Sequence, residues 1–202
     1  ESELDFLFDV NIYGPYRITK AFSPLIIASK GRITTISSIS GILSGTLFGP
    51  YSMSKHAMEA YSDSLAREME RFEVKVSVVE PGNYQSEIGK TLKKRMEARG
   101  IDIKGSPYEK EMQGMLDRVG SGTPQKDPQE VAEAVYHALF DEHPKMRYMV
   151  VPNLRQAEIT IGKAMMEMVQ LNQDQPYTFD REALIKMLDE ALAAVAPPHT
   201  GN

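Results

Sequence analysis

The sequence predicts an α/β fold in which helices flank a parallel β-sheet. Three observations carry that prediction. Arg32–Ser37 and Val74–Val79 are β-branched, apolar runs of strand length. Tyr51–Arg71, between them, reads as one amphipathic helix, long enough for the crossover that parallel strands require. Beyond Asp127 the alternation resumes with a helix, a strand and further helices.

The opening segment, Glu1–Lys30, repeats apolar residues at helical spacing, among them Leu4, Leu7, Ile12, Tyr16, Ile18, Phe22 and Leu25. Asn11, Gly14, Pro15 and Pro24 interrupt it, all poor helix formers. Gly31 is placed to stop the helix before the first strand. A Gly/Ser-rich stretch, Ser38–Pro50, leads into the second helix, whose Met53, Ala57, Met58, Tyr61, Leu65 and Met69 define an apolar side. Val74–Val79 is a near-continuous apolar run, as in a strand covered on both faces, and Pro81-Gly82 ends it with a turn. Strand, helix and strand form a βαβ unit with a right-handed crossover.

The signal then weakens. Ser86–Arg99 reads as a basic helix and Gly120–Pro124 as a loop. Asp127-Pro128 caps a helix to about Phe140, with Pro128 at its first position. Met146–Val151 reads as a third strand, Gln156–Gln170 and Asp180–Val195 as helices, and Pro197 onward as a frayed tail.

Composition excludes several function classes. The 202 residues hold no Cys, which removes disulfide scaffolds, Cys-ligated zinc and iron–sulfur clusters. Lys plus Arg number 23 against 28 Asp plus Glu, a net charge of −5, without the basic excess of a nucleic-acid binder. No apolar run approaches the ~18 residues of a membrane span. A cytoplasmic protein without membrane span or nucleic-acid partner is the expectation. His56, His137, His143 and His199 share no ligand spacing, so no metal is expected.

Chemistry concentrates at Ser38, Tyr51 and Lys55. One helical turn separates Tyr51 from Lys55, so both side chains lie on one face. A free phenol, with a pKa of ~10, is a poor base at neutral pH. A cation ~4 Å away, at an effective dielectric of ~20, stabilises the phenolate by about 4 kcal/mol. That equals about three pKa units, enough to bring the phenol near neutrality. A phenol so tuned suits general acid–base work on an alcohol or ketone. Ser38, at a strand end, has a hydroxyl for a substrate oxygen, with Ser37 and Ser40 as local rivals.

Asn11 enters through the backbone. Pro15 has no N–H for the Asn11 carbonyl, which is left for water and a proton relay towards Lys55, or for a mere kink. The glycines of Gly41–Gly49 suit an active-site loop better than a phosphate cradle. Lys90, Lys93, Lys94, Arg95 and Arg99 read as a solvated basic face. Met165, Met166 and Met168 suit packing, or a pocket for a bulky apolar substrate.

Asn11, Ser38, Tyr51-Ser-Met-Ser-Lys55 and Pro81-Gly82 stand in an order and spacing that resembles the classical short-chain dehydrogenase/reductase family. The resemblance is strong from Phe6 to about Gly89 and looser from Pro128 to Val151. It implies a Rossmann-type parallel sheet with flanking helices, incomplete at the N-terminus, with a helical C-terminal extension. Residues 1–152 would be the catalytic half, with a substrate loop at about 83–126, and 153–202 the extension. The family's glycine-rich cofactor turn is not among these residues.

The resemblance implies NAD or NADP as cofactor and an alcohol or ketone of small-molecule or lipophilic type as substrate. Tyr51 would be the general acid/base, Ser38 would orient the carbonyl, and Asn11 would anchor the relay water. Lys55 would both tune Tyr51 and hold the nicotinamide ribose. Pro81, Gly82, Tyr84 and Ser86 would line the nicotinamide, with Ser86 where the family usually has Thr. A homodimer or homotetramer through the 1–30 and 51–71 helices is implied. Two rival readings use the same residues: an extended-branch nucleotide-sugar epimerase or dehydratase, and a non-catalytic oligomerising relic.

Overall fold

A computed structural model describes residues 1–120 and 125–195. Positions 121–124 of the expected Gly120–Pro124 loop, and the expected tail from Pro197, lie outside the described residues.

The opening helix is broken where its poor helix formers stand. Helix α1 (Ser2–Phe8) passes into a π-helical turn at Asp9–Tyr13, and α2 (Gly14–Ala28) follows with Pro15 in its first turn. Pro15 cannot donate to the carbonyl four residues back, and the Gly14 N–H reaches five residues back to Asp9. Helix α2 ends with Lys30 N–H bonded to the Ile27 carbonyl and Gly31 N–H to that of Ile26. Lys30 itself takes the left-handed conformation (φ 47°), a place usually held by glycine, so Gly31 stands one residue beyond the stop.

Strands β1 (Arg32–Ile36), β2 (Lys75–Pro81) and β3 (Arg147–Val150) pair in parallel in the order β1-β2-β3. Register sets Thr35 beside Val78 and Val78 beside Arg147, so these three share one face with Ile33, Val76 and Glu80. Helix α3 (Gly49–Glu70) covers that face, and Leu65 and Met69 pack there with Ile33, Val74 and Val76. Helix α6 (Gln129–Phe140) covers the opposite face, with Ala138 against Val79 and Tyr148. Val78 and Val79 are fully buried, as the apolar run requires of a central strand.

Two details differ from expectation. Helix α3 begins at Gly49, because Pro50 serves in its first turn. Its inner face holds Ser52, Ser54, Met58, Glu59 and Ser62 as well as Leu65 and Met69, while Met53 points outward, 53% exposed. Helix α6 begins at Gln129, with Pro128 at the cap; the Asp127 carboxylate accepts from the Gln129 N–H at 2.8 Å.

The segment after β2 carries α4 (Ile88–Ala98) and α5 (Glu109–Gly120). Arg95 of α4 and Arg99 at its C-cap both pair with Glu3 of α1, at 2.7 and 3.0 Å, so this part of the basic run is a structural tie. Helix α7 (Leu154–Asn172) follows β3, and α8 (Arg181–Val195) follows α7. The chain divides into two units, Glu1–Thr160 and Ile161 onward. Within the second, Asn172 exchanges two hydrogen bonds with the Phe179 backbone, and Asp180 caps α8 by accepting from the Ala183 N–H. Met165, Met166 and Met168 are exposed there.

Candidate active site

The residues singled out by spacing meet where β1 and β2 end against the first turns of α3. Ser38 follows β1 and caps a 3₁₀ turn at Ile39–Gly41 by accepting from the Ser40 N–H at 3.1 Å. Its hydroxyl donates to the Pro81 carbonyl at 3.3 Å, tying the two strand ends together. The Tyr51 phenol lies beside that hydroxyl. Ser37 turns the other way and reaches the Lys55 carbonyl at 3.4 Å, as strand alternation expects of neighbours.

Lys55 donates to the Ile36 carbonyl at 3.2 Å, and its Nζ stands 5.7 Å from the centre of the Tyr51 ring. The Ser37 N–H points to β2, where it meets the Val79 carbonyl, so the Ile36 carbonyl points to the outer edge of β1. Burial lowers the Lys55 pKa, and the carboxylate of Glu59 opposes that effect. Burial pushes the Tyr51 phenol above its ordinary value, and the Ser38 hydroxyl acts against the rise. Desolvation thus works against the near-neutral phenol expected from spacing. The ammonium is held by a carbonyl, and desolvation is the larger influence on the phenol.

Asn11 sits in the π-helical turn, and its amide donates to the Ser54 hydroxyl at 3.0 Å. Ser54 in turn donates to the Tyr51 carbonyl at 2.7 Å. Asn11 thus holds the first turn of α3 by its side chain. Substituting Pro15 by Ala restores an N–H for the Asn11 carbonyl and favours a regular α-helix. Removing the extra residue of the π turn would rotate Asn11 by about 100° on a 3.6-residue helix, away from Ser54. Pro15→Ala is expected to melt at the same temperature or higher and to turn over more slowly. Melting temperature and rate on one preparation check this, and an undiminished rate would leave the turn a mere kink.

Gly82 continues from β2, its N–H bonded to the Val150 carbonyl at 2.7 Å. A Cβ there would lie 2.3 Å from Gln156 Oε1, the atom that accepts from the Asn83 N–H, and 3.1 Å from Pro152 and Val151, so a side chain would have to displace Gln156 from that bond. The Tyr84 ring is buried and its hydroxyl donates to Glu130 at 2.6 Å, which fastens the chain to α6. Burial and that carboxylate raise the Tyr84 pKa strongly. Its hydroxyl is engaged away from the Ser38–Tyr51–Lys55 group. Ser86 is exposed.

Beneath Lys55 lies a cluster that spacing did not reveal. Arg147 binds Glu80 at 2.8 Å, Asp63 at 2.5 Å, and Glu59. Glu80 is 2% exposed, and burial, the Glu59 charge and a hydrogen bond with Glu59 raise its pKa to about 7 against the opposing Arg147. The folded state therefore binds a proton more tightly than the unfolded chain. That stabilisation is complete below the usual carboxyl value, 4.5, and is lost as pH rises through about 7. It amounts to something on the order of 3 kcal/mol. The wild-type melting temperature is expected to fall by several degrees between pH 5 and 8, and Glu80→Gln to remove that slope. Equal slopes in the two proteins would contradict the assignment.

The short chain dehydrogenase family profile matches residues 1–97. D-β-hydroxybutyrate dehydrogenase of Bos taurus, a mitochondrial protein by its name, is 36% identical over 153 residues, 69% of this chain and 44% of that protein. The chain belongs to the short-chain dehydrogenase/reductase family. Human retinol dehydrogenase 16 is another relative, 35% identical over 70% of this chain and 47% of its own length. A solved short-chain dehydrogenase from Streptomyces avermitilis superposes with a TM-score of 0.64 at 27% identity, covering 86% of this chain and 60% of that one. The chain spans about half the length of the curated relatives it matches. Its three parallel strands and flanking helices are the Rossmann-type architecture of the family.

Proposed function

We propose that Ser38, Tyr51 and Lys55 form the reactive centre of an NAD- or NADP-dependent oxidoreductase that interconverts an alcohol and its carbonyl. The observation that carries this reading is the convergence of the Tyr51 phenol, the Ser38 hydroxyl and the Lys55 ammonium at the ends of β1 and β2. The named dehydrogenases among the relatives support it.

The residues present fit a nicotinamide nucleotide. The Lys55 ammonium has three N–H groups and gives one to Ile36, leaving donors for a ribose diol. Gly82 lets backbone approach closely, and Ser86 offers an exposed hydroxyl for a carboxamide. The nicotinamide supplies or accepts the hydride. In reduction, Tyr51, protonated at neutral pH, gives its proton to the carbonyl oxygen as the hydride reaches carbon. Ser38 donates to the same oxygen, and the phenolate left on Tyr51 is stabilised by Lys55. In oxidation the proton returns along the same path.

The substrate is a secondary or lipophilic alcohol or its ketone. Association as a homodimer or homotetramer through the 1–30 and 51–71 helices is supported by exposed Phe6, Val10, Tyr16, Ile18, Phe22 and Leu25. No helix among the described residues is long and apolar enough to cross a membrane. Cytoplasmic residence is part of this reading, although the bovine relative is mitochondrial by name. The test is a ketone panel assayed on the full-length protein with NADH and NADPH, following loss of reduced nicotinamide. Reduction of secondary or lipophilic ketones with either nucleotide supports the reading, and no turnover with any contradicts it.

A further inference from the structure

Lys55 and Glu59 stand one turn apart on α3, with their side chains on one face. Glu59 is 8% exposed and is gripped through Oε2 by Arg147 of β3, which fixes its position. Its other oxygen, Oε1, is buried with no hydrogen-bond partner. Gly41, in the turn that follows Ser38, presses on the same side chain: a Cβ there would lie 2.8 Å from Glu59 Oε1. Arg147 offsets the cost of burying this carboxylate, and the unpartnered Oε1 leaves it able to act on a second cation.

We propose that Glu59 is a positioning residue for Lys55, its clamped carboxylate holding the Lys55 ammonium charged beside the Tyr51 ring. Glu80, on β2, lies within hydrogen-bonding range of Glu59 and also binds Arg147. The other charged groups around α3 are engaged elsewhere or face solvent. On α1 Glu3 pairs with Arg95 and Arg99, and Asp5 is exposed; in the π turn Asp9 pairs with Arg17. On β1 Arg32 reaches the Ala138 carbonyl, and on β2 Lys75 is exposed. Asp63, further along α3, binds Arg147 from its more exposed side. Of these groups, Glu59 is the one whose charge acts on Lys55.

The catalytic consequence of this coupling rests on the oxidoreductase reading above; the coupling itself does not. It is read without turnover, from the pH titration of the Lys55 Cε resonance in protein labelled with ¹³C-lysine and assigned by its loss in Lys55→Arg. At an effective dielectric of ~20 to 40, removing a charge one turn away shifts the Lys55 midpoint down by about one unit or more. Glu59→Gln is expected to show that shift and Asp63→Asn to leave the midpoint in place. Arg147 keeps two carboxylates in Glu59→Gln, which favours folding. Glu59→Met drops the charge, fills similar volume and carries the same expectation should the amide destabilise the protein.

A midpoint unmoved in both Glu59 variants overturns the proposal, as does an equal shift in Asp63→Asn. A lowered midpoint in a protein with no ketone turnover supports the coupling and fails the oxidoreductase reading. Turnover with an unmoved midpoint overturns the coupling alone.

Discussion

Tyr51→Phe is expected to reduce turnover of the full-length protein by about 100-fold or more while leaving nucleotide affinity within a few fold. The substitution removes one hydroxyl and keeps the ring that packs beside Lys55 and Ser38. Without the phenol no placed group gives the carbonyl oxygen its proton, since the Ser38 hydroxyl can hydrogen-bond to it but is far too weak an acid to give up its proton. Steady-state kinetics and a nucleotide titration on the same variant separate the two effects. A variant that keeps more than a tenth of the wild-type rate would remove Tyr51 from the proton-transfer role.

Lys55→Met is expected to act on two quantities at once. It removes the donors left for the ribose, so nucleotide binding weakens. It also removes the cation 5.7 Å from the Tyr51 ring, and the phenol becomes a weaker acid still. Reduction requires the protonated phenol, so its alkaline limb moves to higher pH. Oxidation requires the phenolate, so its acid limb moves up as well and the neutral-pH rate collapses. A pH–rate profile measured in both directions checks the sign. Limbs that stay in place would confine Lys55 to nucleotide binding.

The parts of this protein that were legible in the sequence are those encoded by local period and spacing. Val74–Val79 reads as a covered strand because its residues are continuously apolar, and β2 lies in the middle of the sheet. Tyr51 and Lys55 share a face because four residues make about one turn. Pro15 announces a break in the first helix, although the π turn that forms there, and its place against α3, are not written in the local pattern.

What stayed hidden depends on contacts across long stretches of chain. Arg147 meets Glu59 and Glu80 from 88 and 67 residues away, and no local pattern foretells such a meeting. The one local signal was Glu80 itself, a carboxylate ending an apolar strand beside Val78 and Val79. The resemblance places Tyr84 beside the nicotinamide, and its hydroxyl bond to Glu130, 46 residues on, has no local sign in the sequence. Met53 fell on the expected apolar stripe, yet Ser52 and Ser54 are the buried neighbours, because Ser54 bonds to Asn11 and the Tyr51 carbonyl. Helix α5 was legible too, since Met112, Met115, Leu116 and Val119 recur at helical spacing, but no element was expected there.

The central claim is that Tyr51 gives the proton while a nicotinamide gives the hydride to one carbonyl group. Its most direct test is the transfer of deuterium from reduced nicotinamide deuterated at C4 into a ketone, followed by mass spectrometry on the full-length protein. The account predicts that the wild type places one deuterium on the carbinol carbon of the alcohol product, and that Tyr51→Phe, with nucleotide bound, does so at about a hundredth of the rate or less. Deuterium transfer by Tyr51→Phe at the wild-type rate, or none by the wild type, would contradict it.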